Sequence, residues 1–136
     1  MAVASRRAAN EDVVRRIFGA FADKQGFALR DLFAPDAVWI VPGDGAMAGV
    51  HRGRDSIFRF LARLPKETDG TYTSQLVDVL VSDDRAAALY RASGERNGRR
   101  LDLDQVLLFT IRDGLVQEVT ALPSDPDAFD AFWSDA

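Results

Sequence analysis

The dipeptide Asn97-Gly98 constrains this chain more than any other two residues. A two-residue type I′ turn needs positive φ at both central positions, which asparagine and glycine accept most readily. The residues on either side, "YRASGER" and "RRLDLDQ", then pair in a register fixed by counting outward. Arg96 meets Arg99, Glu95 meets Arg100, Ser93 meets Asp102 and Arg91 meets Asp104. The last three pairs share one face and are complementary in charge or hydrogen bonding. The other face carries Gly94 with Leu101, Ala92 with Leu103 and Tyr90 with Gln105. A slip of one residue would scramble both sets. Arg91, Asp102 and Asp104 therefore read as a solvated cross-strand ladder rather than as catalysts. The opposite face has small residues, Ala88, Ala92 and Gly94, where a packed sheet would want bulk, so it is expected to line a hollow.

A chain of 136 residues is long enough for one domain with its own core, spanning 1–136. A charged fraction of 28% and a hydrophobic fraction of 47% suit an ordinary globule. The net charge of −4 and the lack of a basic stripe argue against a nucleic-acid partner. With no cysteine, thiol catalysis, disulfides and thiolate metal sites drop out. One histidine and scattered carboxylates give no expected metal site, and no cofactor is expected. No apolar run reaches the ~20 residues of a membrane span. The start "MAVASRRAANEDVVRR" lacks a signal-peptide core, so a cytoplasmic protein is expected.

Along the chain, residues 1–9 are expected to be flexible or a helical extension. Residues 10–24 read as an amphipathic helix capped by Asn10, with Val13, Val14, Ile17, Phe18 and Phe21 on one face. "FALRDLFA" (27–34) reads as a second short helix ended by Pro35. "AVWIV" (37–41) reads as a strand, "PGDGAMAG" as a loop, and "RDSIFRFLARL" (54–64) as a third helix stopped by Pro65. From Thr71 the period becomes two. Strands are expected over 71–82, 85–96, 99–112 and 115–122, turning at Asp83-Asp84, Asn97-Gly98 and Asp113-Gly114. "SDPDAFDAFW" closes the chain as a helix with Pro126 at its first position. This order gives an α+β domain: a curved, mainly antiparallel sheet with three N-terminal helices covering one face.

Four stretches, "LFAPDAVWIVPG", "GVHRGRDSI", "FTIRDGLVQEV" and "DAFDAFW", resemble the SnoaL-like, ketosteroid isomerase-like branch of the nuclear transport factor two-like superfamily. The resemblance runs from about Val13 to Trp133. It implies a cone-shaped barrel, a pocket inside the cone, and a homodimer formed through the sheet. It also implies several chemistries, because isomerases, polyketide cyclases, limonene-type epoxide hydrolases and non-catalytic binding modules share the fold. At the position of the isomerase general base stands Val41. Ile17 stands at that of its oxyanion-hole tyrosine, and Gln105 at that of its protonated aspartate. For the epoxide hydrolase set Arg91 is present, but Ser93 and Ala121 replace the aspartates. The cyclase aspartate would have to be Asp102 or Asp104, which the register puts outside.

Alternation directs Trp39, Val41, Ala88, Tyr90, Ala92, Leu101, Leu103, Gln105, Leu107 and Val119 inward, with Gln117 a further candidate. The hollow is thus mostly apolar, with a phenol opposite an amide. Tyr90–Gln105 is either a satisfied internal hydrogen bond or a pair that orients a ligand carbonyl or hydroxyl. Trp39 reads as a wall. His51, in "GVHRG", is the one candidate base near neutral pH. The expected function is a small-molecule-binding SnoaL-like protein, whose catalytic form would be a cofactor-independent isomerase, cyclase or hydrolase acting on a hydrophobic metabolite. His51, Tyr90 and Gln105 would be its polar participants. Trp39, Val41, Ala88, Ala92, Leu103, Leu107 and Val119 would hold the ligand. Two alternatives stand beside it. One is a non-catalytic binding or dimerisation module using the outer sheet face at Leu89, Val106 and Leu108. The other is an epoxide hydrolase with displaced groups such as Asp44.

Overall fold

The computed structural model describes residues 2–23 and 26–135. Helix α1 spans Ala2–Ala22 and is followed by a 3-10 helix, Gly26–Leu32. Strands β1 (Phe33–Val41) and β2 (Gly49–Arg52) precede helix α2 (Arg54–Glu67). Four long strands come next: β3 (Thr73–Val81), β4 (Arg85–Arg96), β5 (Arg99–Arg112) and β6 (Leu115–Pro123). Helix α3, Pro126–Trp133, ends the fold.

The six strands form one sheet in the order β2-β1-β6-β5-β4-β3. Consecutive strands from β3 to β6 pair antiparallel, and β1 joins β6 in parallel. The β4–β5 register is the one expected from the turn, with Tyr90 opposite Gln105, Arg91 opposite Asp104 and Ser93 opposite Asp102. Asn97 and Gly98 have φ of 52° and 76°, and Asp113 and Gly114 repeat the pattern at 52° and 77°. Register shifts at Leu76/Asp78, Thr110/Ile111 and Phe33/Val38 bend the sheet, as bulges do. The curvature gives a concave face for the helices, so the expected α+β cone is the observed fold.

Several boundaries differ from expectation, each for a local reason. Asn10 does not cap α1, which begins at Ala2 because "AVASRRAA" has high helix propensity without needing an apolar face. Asn10 is instead buried inside the helix, its side-chain amide donating to Ser82 O at 3.0 Å and Asp83 O at 3.1 Å. The far end expected at residue 24 lies outside the described residues. Pro35 does not end a helix at 27–34; the 3-10 helix stops at Leu32 and β1 already begins at Phe33. The irregular pairing between Phe33 and Val38 accommodates a residue that has no N–H to give. Pro65 does not stop α2, which continues to Glu67. Thr68 finishes that turn, donating its hydroxyl to Leu64 O at 2.7 Å. The stretch read as one loop up to Gly49 gives way to a short edge strand, β2, whose four residues are too few to show a period.

The core lies between the concave face and the helices. From α1 come Val13, Val14, Ile17 and Phe18, and from α2 Ile57, Phe60, Leu61 and Leu64. Phe129, Phe132 and Trp133 of α3 close one end. No helix among the described residues is long and apolar enough to cross a membrane.

Candidate functional site

A cavity of about 60 Å³ remains inside the cone. Ile17, Phe18 and Phe21 of α1 and Phe60, Leu61 and Leu64 of α2 form one side. Trp39, Val41, Tyr90, Leu107 and Ala121 of the sheet form the other, with Met47 of the β1–β2 loop and Phe129 and Trp133 of α3 at the end. Tyr72, Ser74 and Gln105 add polar groups to Tyr90. Phe21, Tyr72 and Ser74 are half-buried, so the cavity approaches the surface beside them. Rings wall this mouth: Phe21 and Tyr72 meet edge-on at 6.0 Å, and Tyr72 and Trp133 lie 6.2 Å apart.

Tyr90 and Gln105 are the polar centre. The Tyr90 hydroxyl donates to Gln105 Oε1 at 3.1 Å, both residues being 4% exposed. The amide nitrogen of Gln105 has no partner, the only buried side-chain N or O without one among the described residues. A buried donor left unpaired is unfavourable by about 1–3 kcal/mol. Burial, and then the neighbouring Tyr72, hold the Tyr90 phenol well above its ordinary pKa. Tyr72 is raised too, chiefly by burial, and hydrogen-bond contacts with Ser74 and Tyr90 partly offset that. Both phenols are therefore neutral donors at physiological pH. Among the described residues, no aspartate, glutamate, lysine, arginine or histidine lines the cavity.

Of the residues expected to hold a ligand, Trp39, Val41 and Leu107 line the cavity with Tyr90 and Gln105. Ala88, Ala92 and Val119 are completely buried but face packed core instead. The small residues do not make a hollow; they let other elements approach. Helix α1 packs over β3 and β4, and a Cβ at Gly94 would stand 3.2 Å from Tyr72 Cα. Leu101 is buried away from the cavity, and Leu103 is half-buried beside Ala128 at the surface. The Gln117 amide donates to Leu115 O at 3.2 Å.

His51 lies on strand β2, not in a loop, and is not part of the cavity lining. Its ring stacks on Phe60 at 4.4 Å, and Nε2 is 3.3 Å from Met47 O, so it backs two lining residues. Asp44 is exposed, its backbone N–H donating to Asp130 Oδ1 at 3.3 Å. Asp102 and Asp104 project from the convex face, where Arg91 bonds them at 2.8 Å and 3.0 Å. No group of three or more His, Asp or Glu side chains suited to a metal occurs among the described residues. Alternation does not single out Tyr72, Ser74, Met47, Phe129 and Trp133: Ser74 lies at the start of β3 ahead of its register shift, and the other four lie outside the strands.

Residues 14–119 match the SnoaL-like domain family. An uncharacterized protein of Mycobacterium tuberculosis is 39% identical over 127 residues, covering 93% of this chain and 97% of its own. Among solved structures, Bal32a from a soil-derived mobile gene cassette superposes with a TM-score of 0.91 at 36% identity, covering 94% of this chain and 98% of that one. TerC, co-crystallised with polyporic acid, shares the fold at a TM-score of 0.79 and 23% identity, covering 91% and 97%. The matched span includes the cone and most of the cavity wall, and on that ground the chain belongs to the SnoaL-like domain family.

Proposed function

We propose that this protein binds a small, uncharged, largely hydrophobic molecule in the cone, oriented by Tyr90 and Gln105. The observation that carries this reading is the unpartnered Gln105 amide nitrogen in a largely apolar cavity. A ligand oxygen that accepts from it relieves the unpaired donor, and burial of the ligand's apolar body supplies the rest of the affinity. Among the described residues an anion finds no cation in the lining, so a neutral acceptor such as a carbonyl is favoured. The described lining residues offer phenols, a hydroxyl and an amide but no carboxylate or imidazole. Chemistry in this cavity would be of the cofactor-independent kind, in which the ligand is held in a reactive conformation and polarised by neutral donors. In this reading His51 is a support for Phe60 and Met47 rather than the base.

Calorimetry with acetophenone, benzoate and ethylbenzene tests the proposal. Acetophenone is expected to bind most tightly, and Gln105→Leu to erase its advantage over ethylbenzene. His51→Phe, which keeps a ring on Phe60, is expected to leave acetophenone affinity unchanged. Binding of none of the three would overturn the reading.

The convex face favours a second, compatible role as a homodimer interface. Two adjacent rungs of the sheet, Asp78-Leu89-Val106-Leu122 and Leu80-Ala87-Leu108-Thr120, point away from the core. Leu80 is 56% and Leu122 46% exposed, enough apolar surface for a second copy to cover.

A further inference from the structure

The cavity of about 60 Å³ is smaller than the ~150 Å³ at which an apolar protein cavity takes up benzene. A ring-sized ligand therefore requires a wall to move. The sheet walls are fixed by strand ladders. Of the three α-helices that line the cavity, α3 is the shortest at 8 residues, and it brings Phe129 and Trp133 to the wall.

Besides the buried faces of Phe129, Phe132 and Trp133, most polar contacts that hold α3 gather at its C-terminal end, around one buried arginine. Arg96, 6% exposed, donates to Phe132 O at 3.5 Å and Ser134 O at 2.7 Å. It pairs with Asp135 at 2.6 Å and with Glu67 of α2 at 3.1 Å, and its guanidinium lies 5.9 Å from the Trp133 ring. Arg99, beyond the turn, donates to Ala131 O and Ser134 O, both at 2.6 Å. From the other side Ala46 N–H donates to Trp133 O at 2.8 Å. Trp133 is also the ring that closes the mouth against Tyr72.

We propose that α3 is a gate on the cavity and that Arg96 is its latch. The proposal rests on the ligand-binding reading above. A guanidinium this buried is tolerated while its acceptors are in place. When α3 swings out, Arg96 rehydrates, and Trp133 and Phe129 leave the mouth together. The two arrangements are discrete because a buried cation is stable only fully paired or fully wet.

The chain has no cysteine, so a single staple can be placed cleanly. A Cβ at position 43 would stand 2.8 Å from Asp130 Cγ, close enough for Gly43→Cys with Asp130→Cys to bridge. The reduced form of the same variant is the reference, so any strain at the left-handed Gly43 is common to both. Stopped-flow fluorescence follows uptake and release of the neutral probe N-phenyl-1-naphthylamine. Oxidation is expected to slow both rates by about tenfold or more, with reductant restoring them. Arg96→Met is expected to speed both by about tenfold with little change in Kd. Equal rates in the oxidised and reduced protein would overturn the gate while leaving the binding reading intact. No uptake of the probe by the unaltered protein would overturn the gate, while the binding reading is decided by the calorimetry above. If the stapled variant fails to fold, unchanged rates in Arg96→Met and Arg99→Met overturn the gate.

Discussion

Tyr90 and Gln105 face each other across β4 and β5, joined by a 3.1 Å hydrogen bond that leaves the amide nitrogen free inside the cone. Their energies should not add. Tyr90→Phe leaves both amide groups of Gln105 unpaired and is expected to destabilise by about 1–3 kcal/mol. Gln105→Leu takes one acceptor from the phenol but also removes the unpaired amide nitrogen, and is expected to cost less. The double variant removes the polar pair altogether and is expected to lose less than the sum. Urea unfolding of the four proteins measures the coupling, and strict additivity would contradict it.

The chain's two tyrosines are both raised in pKa by burial. A group raised in the folded state favours folding below its unfolded value and loses that contribution as pH rises through the folded one. Stability is therefore expected to fall above about pH 10, where the unfolded phenols ionise. Near-ultraviolet absorbance should show no tyrosinate at that pH in the native protein, and both tyrosinates once urea is added.

On the convex face Arg91 holds Asp102 below the ordinary carboxylate range, mainly by its hydrogen bond. The pair is partly exposed, at 41% and 50% of its side-chain surface. Arg91→Ala is thus expected to change stability little near neutrality, because solvent screens the pair. A depressed carboxylate favours folding above its unfolded pKa, and that contribution is lost as pH falls through the folded one. The unaltered protein should lose stability on acidification below about pH 4, and Arg91→Ala should lose less. Thermal melts across the acid range compare the two.

The two apolar rungs of the convex face give a further expectation. Leu122→Glu puts a charge beside Val106 and Leu89 without touching the cavity. Sedimentation at micromolar concentration is expected to show a dimer for the unaltered chain and a monomer for the variant. A monomer in both would remove the interface.

The antiparallel strands were legible because their turns announce themselves. Asn97-Gly98 and Asp113-Gly114 fixed the register, and the register placed Tyr90, Gln105 and the Arg91 ladder correctly. Which inward residues meet empty space was not legible. Ala88 and Ala92 were read as the lining of a hollow, whereas the helix and Tyr72 use the room they leave. Alternation reports only the side of the sheet, and what lies above it depends on elements far away in sequence. β2 escaped because an edge of four residues shows no period, and His51 was displaced with it.

The parallel seam between β1 and β6 joins residues 33–40 to residues 116–120. During synthesis the first strand must wait for the last before its inner edge is covered. Contacts of such long span slow folding and leave an unpaired edge open to other chains in the meantime. A chain cut short before Leu115 would have no partner for that edge. Such a fragment should be a substrate for chaperones rather than a smaller version of the cone.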